Sequence, residues 1–524
     1  MGGMGSGEWG VGSGEWEDGS NFPIPYSPLP IPHSPLPIPP LPTSTAMATI
    51  KFGTDGWRAR IAEDFTFANV EIVTQALFDY LKTQNTSGKL RAVVGYDRRF
   101  ASELFAERAA EVLAGAGVAV DLFASDVPTP LVSFEVKRRG LDGGVVITAS
   151  HNPPDFNGFK FKAPYGGSAT PAITDQIEKL LGATEPRRLP FDEAKKQGLA
   201  TVIEPDEPDG PDGDYRRQIE SLVSINDLRN ADALVIADPM HGTGGRWIET
   251  MLAGGKIRVE TIRADRDPLF GGVLPEPMPW SLELTARAIR ERGALMALVT
   301  DGDADRVGAM DERGEYINTH QILTILLLHL VRRKGWKGSV ARTFSQSVIV
   351  RRIAESYGFR LFETPIGFKH IGEIMLDPAN DFLVGGEESG GIGVRGHIPE
   401  RDGIFNCLLL LEATLAAGKK PSEIVRDIWR EFGEFHFERR DLHVPIESGQ
   451  KLVGDLRENT PDTFAGYKVV NVATLDGTKL IFDDESWILF RQSGTEPVLR
   501  VYCEATSVEK MQAMIDEGVR LATR

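Results

Sequence analysis

Three aspartates alternate at positions 301, 303 and 305 in LVTDGDADRVGAMDERGEY, directly after an apolar run, with Gly302 and Ala304 as small spacers. Carboxylates this close repel one another unless a cation shares them, and their hard oxygens suit Mg²⁺ or Ca²⁺. An EF-hand is the competing reading, because Glu312 falls at the twelfth position of such a loop. Arg306 stands where that loop requires glycine, and the flanks read as strands rather than helices, so the EF-hand is rejected.

A second candidate is VVITASHNPPDFNGFK, residues 145–160. An apolar strand delivers Ser150 and His151 to a loop stiffened by Pro153 and Pro154, and Lys160 returns after an Asn-Gly turn. The segment lacks the G-x-S-x-G elbow of a serine hydrolase. Its hydroxyl can attack phosphorus, or carry a phosphoryl group, where a cation neutralises the charge; the local alternative is a polar turn after a strand. In VGGEESGGIGVRGHIPERDG, Glu387 and Ser389 sit among glycines, offering an acceptor and a hydroxyl to adjacent sugar hydroxyls, or simply forming a Gly-rich turn. His397 in the same stretch is a candidate proton carrier. RQSGTEPVLRVY gathers Arg491, Ser493, Gly494 and Thr495, with Arg500 on the strand behind. Hydroxyls, backbone N–H groups and guanidinium can hold a phosphate without a Walker loop, and a structural hairpin is the alternative. FGTDGWR, ending in Arg58, and TPIGFKHIG, with Lys369, are weaker versions of the same pattern.

Such loops need a scaffold. From Thr49 onward, apolar strands of four to six residues alternate with longer helical stretches, the pattern of α/β units with mostly parallel sheets. Ligands of such sheets sit beyond the carboxyl ends of the strands, where these loops fall. At 524 residues the chain is expected to hold three or four domains. EPDEPDGPDGD from Glu204 reads as a linker, and further boundaries are expected near Gly314 and Glu431. SWILFRQ, VLRVYCEA and the amphipathic stretch from Val508 read as a smaller α+β domain. The first 46 residues repeat GSGEW and SPLPIP and read as an extended Pro-rich tail, an upstream extension with the native start at Met47, or a docking segment. They lack the charged and apolar regions of a signal peptide.

The formal charge of −17, with no dense Lys/Arg block, argues against a nucleic-acid partner, so an anionic ligand must be captured by a locally basic, concave site. Cys407 and Cys503 lie in apolar or alternating runs and read as reduced core thiols, which fits the cytoplasm. ILTILLLHLV from Ile322 is too short for a membrane span and reads as a core helix.

In this order, TASHNP, DGDADR, GEESGG and RQSGTEP resemble the α-D-phosphohexomutase superfamily, the phosphoglucomutase and phosphomannomutase enzymes, from about Ile50 to the C-terminus. The resemblance implies three related α/β domains, at 47–205, 206–314 and 315–431, and a C-terminal α+β phosphate-binding domain at 432–524, arranged around a central cleft, while composition alone marks 1–46 as a disordered Gly/Pro-rich tail. It implies that Ser150 is phosphorylated and that Asp301, Asp303 and Asp305 hold Mg²⁺ together with a phosphoserine oxygen of Ser150. Arg306 would contact that phosphoryl group, and Lys160 and Lys369 would serve proton transfer or phosphate contact. Glu387 and Ser389 would bind sugar hydroxyls. Arg491, Ser493, Gly494, Thr495 and Arg500 would clamp the phosphate that is not reacting, with Arg58 as a further binding residue.

The implied reaction interconverts glucose 1-phosphate and glucose 6-phosphate through glucose 1,6-bisphosphate, which also serves as activator; activity on mannose phosphates stays open. Phosphoglucosamine mutase is the alternative, and a non-catalytic phosphosugar-binding protein the alternative of another class. Some relatives carry His directly after the ESG of the sugar loop, where this chain has Gly391, which shifts the acid/base role toward Lys160 or His397. The expected partners are small hexose phosphates, with no nucleic acid or membrane, for a cytoplasmic monomer or homodimer.

Overall fold

Val145, Val146 and Ile147 are almost completely buried on both faces of their strand, as β-branched residues are in the middle of a parallel sheet. Their strand, Gly143–Ile147, pairs in parallel with Arg91–Tyr96 and antiparallel with Phe156–Ala163. The computed structural model describes residues 50–523 apart from Thr54, 86–87, 206–210 and 495–496. The Pro-rich tail at 1–46, residues 206–210 of the stretch read as a linker, and Thr495 therefore lie outside the described residues, while the rest of that stretch from Pro211 opens helix Pro211–Glu220.

Among the described residues the chain forms four sheets, of seven, five, four and six strands. The first three share one plan. Parallel strands, with helices on their connections, lead to a strand whose carboxyl end turns directly into an antiparallel neighbour. The pairs are Gly143–Ile147 with Phe156–Ala163, Met296–Thr300 with Val307–Met310, and Phe382–Gly386 with Ile392–Val394. The fourth sheet is wholly antiparallel, and its strands Trp487–Gln492 and Val498–Ala505 make the same kind of turn. The serine, aspartate, sugar and phosphate loops are these four connections. Three α/β units and one α+β unit thus each present one loop at an equivalent place.

The second sheet is closed by Tyr316–Ile317, which pairs with Val307–Met310. Gly314 lies in the turn before this short last strand, and the chain leaves the sheet after Ile317. Helix Thr319–Arg332 follows, started by a capping box of Asn318 and Gln321. It contains the ILTILLLHLV run, buried from Ile322 to Leu330. Helix Gly403–Ala417, capped by Asp402 through the Phe405 N–H at 2.9 Å, is apolar nearly all round and packs on both strands flanking the aspartate loop. An all-round apolar helix must be buried, and this one ties the second unit to the third in one continuous core. Cys407 and Cys503 are both free and buried. No helix among the described residues is long and apolar enough to cross a membrane.

Candidate active site

Ser150 is 1% exposed and adopts a left-handed backbone conformation, φ +52°. For a non-glycine residue that costs roughly 1–2 kcal/mol, so the surroundings must enforce it. Arg99 does so from a fully buried position. Its guanidinium donates to four carbonyls of the loop, those of Ser150 (2.7 Å), Asn152 (2.6 Å), Pro153 (2.6 Å) and Phe156 (3.0 Å). Asp97 pairs with Arg99 at 3.2 Å and accepts from Thr148 Oγ1 at 2.6 Å, while Thr148 Oγ1 accepts from the Ser150 N–H at 2.9 Å. The loop is clamped from beneath, and the prolines add to a restraint that Arg99 already supplies.

The clamp aims Ser150 at the aspartates. Its Oγ donates to Asp301 Oδ2 at 2.7 Å and lies 3.3 Å from His151 Nδ1. The two loops pass so closely that a Cβ on Gly302 would lie 2.5 Å from the Ser150 carbonyl oxygen, which explains the small spacer. Asp301 Oδ1 accepts from the Arg306 N–H at 3.1 Å. Asp303 Oδ2 accepts from Thr129 Oγ1 at 2.6 Å and from Lys160 Nζ at 2.8 Å, and Lys160 also reaches Asp305 at 3.0 Å and Asp55 at 2.8 Å. One oxygen from each of the three aspartates lies within 4.8 Å of the others. Among the described residues, Oδ1 of Asp303 and Oδ1 of Asp305 are buried with no hydrogen-bond partner. A hard cation is what two such oxygens fit, since leaving them bare costs about 1–3 kcal/mol each.

Burial, then the charges of Asp305 and Asp303, push Asp301 well above the usual carboxylate range. Burial also works against ionisation of Asp303, but Lys160 beside it holds it below that range. Lys160 shows the converse: burial disfavours its charge, and Asp303, Asp305 and Asp55 outweigh the penalty and keep it an ammonium. Lys160 thus turns toward the carboxylates rather than toward Ser150.

Glu387 accepts from Ser389 Oγ at 2.7 Å through Oε1, while its buried Oε2 has no hydrogen-bond partner among the described residues. Glu388 is bonded instead to Ser345 Oγ at 2.6 Å and Thr343 Oγ1 at 3.1 Å. Lys369 sits in the first turn of helix Phe368–Leu376, partly buried, and the charges it faces include Asp55 and Arg491. Burial pulls its pKa below the ordinary lysine value. His397 lies elsewhere: its Nε2 is 2.7 Å from Asp402, which also accepts from Tyr215, and its ring stacks on Phe405. That places it in the support of helix Gly403–Ala417.

In the fourth unit Arg491 and Arg500 are register partners on adjacent strands. Like charges directly opposite are unfavourable unless an anion joins them. Asp476 accepts from Arg491 at 2.9 Å, and Asp441 lies 3.5 Å from Arg500. Ser493 closes the hairpin through its N–H to the Val498 carbonyl at 2.9 Å, and a Cβ at Gly494 would meet nothing within 4 Å among the described residues. Arg58 donates to Asn152 at 2.8 Å, beside the serine. Burial, and then the charges of Arg306, Arg58, Arg439 and Arg500, hold His151 well below the usual imidazole range. Arg500, behind the phosphate loop, and Arg306, after the aspartate loop, thus both act on the serine loop within an acidic protein.

Sequence reasoning missed Arg99, Asp55, Arg401, Arg439 and Glu276. Asp55 lies inside FGTDGWR, Arg401 inside PERDG, and Arg439 inside ERRD, which read only as a boundary. Glu276 joins Arg306 at 3.3 Å and Arg439 at 3.8 Å, linking the second and fourth units. Arg401 pairs with Asp305 at 2.8 Å and with Asp55, and lies 3.8 Å from Glu387.

Residues 49–188, 213–314, 318–432 and 453–521 match, in chain order, the family models for phosphoglucomutase/phosphomannomutase domains I, II and III, each alpha/beta/alpha, and the C-terminal domain. The chain is 31% identical to a phosphoglucosamine mutase from Streptomyces griseus, over 88% of this chain and 96% of that one. It is 29% identical to a phosphoglucomutase/phosphomannomutase from Thermococcus kodakarensis, over 90% and 98%. Its fold matches the crystal structure of a candidate phosphomannomutase from Thermus thermophilus with a TM-score of 0.79 and 35% identity, covering 91% of this chain and all of that one.

Proposed function

The chain belongs to the phosphoglucomutase/phosphomannomutase family, whose members are mutases of the isomerase class, and we propose that it interconverts glucose 1-phosphate and glucose 6-phosphate through phosphorylated Ser150. The observation that carries this reading is the 2.7 Å hydrogen bond from Ser150 Oγ to Asp301, within a carboxylate cluster that still has two bare buried oxygens.

In the first half-reaction the phosphoryl group leaves Ser150 Oγ for the 6-hydroxyl of glucose 1-phosphate, and the hydroxyl proton passes to a base. The 1,6-bisphosphate turns over, its 1-phosphoryl group moves to Ser150 Oγ, and the proton returns to the sugar oxygen. We assign the carrier to Lys369, in the first turn of helix Phe368–Leu376, whose pKa burial lowers. Lys160 is held charged by three carboxylates and balances the aspartates instead. Glu387 and Ser389 take sugar hydroxyls, and Arg491, Ser493, Gly494 and Arg500, with Arg58, hold the idle phosphate from either end. Arg306, with its backbone already on Asp301, meets the transferring group. Asp301, Asp303, Asp305 and the phosphoserine oxygen would hold Mg²⁺, which supplies neutralisation of the charge on the transferring phosphoryl group.

The reading predicts that glucose 1-phosphate, assayed with Mg²⁺ and a trace of glucose 1,6-bisphosphate, turns over at least about tenfold more efficiently than glucosamine 1-phosphate, with mannose 1-phosphate between them. Turnover of none of the three would overturn it. A faster rate on glucosamine 1-phosphate would move the chain to the second reading, phosphoglucosamine mutase, which the Streptomyces griseus relative favours.

A further inference from the structure

We propose that Arg401 is a specificity-determining residue: its guanidinium, lodged in the room that Gly391 leaves beside Glu387, makes the sugar loop take neutral hexose phosphates over aminohexose phosphates. The inference rests on Glu387 accepting from the sugar, as proposed above.

Gly391 is absent from the residues with left-handed φ, so its backbone does not require glycine. Its neighbours do. A Cβ there would lie 2.3 Å from Arg401 Cδ, 2.8 Å from Arg401 Cγ and 3.3 Å from Glu387 Oε2. The stem of Arg401 fills the space that a side chain at 391 would enter, and Arg401 is held there firmly. It is buried, pairs with Asp305, Asp55 and Glu400, and lies over the Phe368 ring.

The charge thus fixed lies 3.8 Å from Glu387 Oε2, the buried carboxylate oxygen that lacks a hydrogen-bond donor. Any group that bonds this oxygen also meets the guanidinium. A hydroxyl satisfies both, donating its proton to Glu387 and offering lone pairs to Arg401. An ammonium has only donors and a like charge, so it can satisfy Glu387 but not the arginine. The other charges here do not cancel that difference. Glu387 also faces Glu388, which is already bonded, and Arg306, which adds to the positive side. Arg401 faces Asp55, Asp305 and Glu400, whose charges are shared with Lys160 and Lys162.

The test compares kcat/KM for glucose 1-phosphate and glucosamine 1-phosphate from about pH 6.5 to about pH 8.5, across the titration of the sugar amine, taken as similar to an α-amino group. The substrate phosphate titrates alike in both sugars and cancels in the ratio. In the wild-type enzyme and in Arg401→Lys, the preference for glucose should fall about fivefold or more as pH rises and the amine loses its charge. In Arg401→Gln it should be flat with pH and about tenfold smaller at the acid end. A wild-type preference that does not change with pH overturns the proposal, and so does an undiminished preference in Arg401→Gln. Should Arg401→Gln fail to fold, the wild-type profile and Arg401→Lys decide. Turnover of glucose 1-phosphate with a flat ratio removes this inference alone, whereas turnover of neither sugar removes the function it rests on.

Discussion

Replacing Ser150 by alanine is expected to lower mutase turnover by roughly 10⁴-fold or more, while glucose 1-phosphate still binds within about threefold of the wild-type affinity. The loss should be this large because, among the described residues, no other hydroxyl donates to Asp301 Oδ2, so nothing replaces the acceptor of the phosphoryl group. Binding should survive because the groups assigned to the sugar and idle phosphate, on the Glu387 and Arg491 loops, sit on other sheets. Two side effects of the substitution can be separated from chemistry. Alanine leaves Asp301 Oδ2 without its donor, but burial already favours the protonated carboxyl, which limits the cost. It also keeps a side chain at φ +52°, so Ser150→Gly, which removes that strain, should be equally inactive and no less stable. Turnover by a coupled assay, binding by calorimetry and thermal melting distinguish these effects. Full activity in either variant would rule out the phosphoserine route.

The strands and the four loops were legible because each is encoded locally. Val145 to Ile147 are β-branched and apolar over one short run, and three aspartates in five residues make sense only near a cation. Partners were not legible, because a side chain's partner depends on which units the fold brings together. Lys160 follows the serine loop by ten residues, yet its ammonium goes to aspartates more than 140 residues away and to Asp55. Arg99 is one of two arginines in GYDRRF, and nothing local tells that it will gather four carbonyls of another loop while its neighbour Arg98 pairs with Asp126. Gly391 looked like a missing histidine until Arg401 was found in its space. His397 looked like a proton carrier because histidine often is one, but Asp402 and Tyr215 take it into the support of a helix. The boundary near Gly314 was legible because the glycine-marked turn precedes only the two-residue strand Tyr316–Ile317 before the long apolar helix begins.

Excess chelator should lower turnover at least about a hundredfold, and added Mg²⁺ should restore it. The residues present fit such an ion. Asp301 has both oxygens oriented, Oδ1 by the Arg306 N–H and Oδ2 by Ser150, whereas Asp303 is held through Oδ2 by Thr129 and Lys160 and Asp305 through Oδ2 by Lys160, leaving Oδ1 of Asp303 and of Asp305 buried and bare among the described residues. Because Lys160 and Arg401 already bond these carboxylates, losing the ion should not break the cluster apart. The melting temperature should therefore fall only by the few degrees that loss of a bound ligand explains, while the rate collapses. A protein that unfolds on chelation would show that the ion is structural. A rate unchanged in excess chelator would show instead that Lys160 and Arg401 are the only cations the three aspartates need.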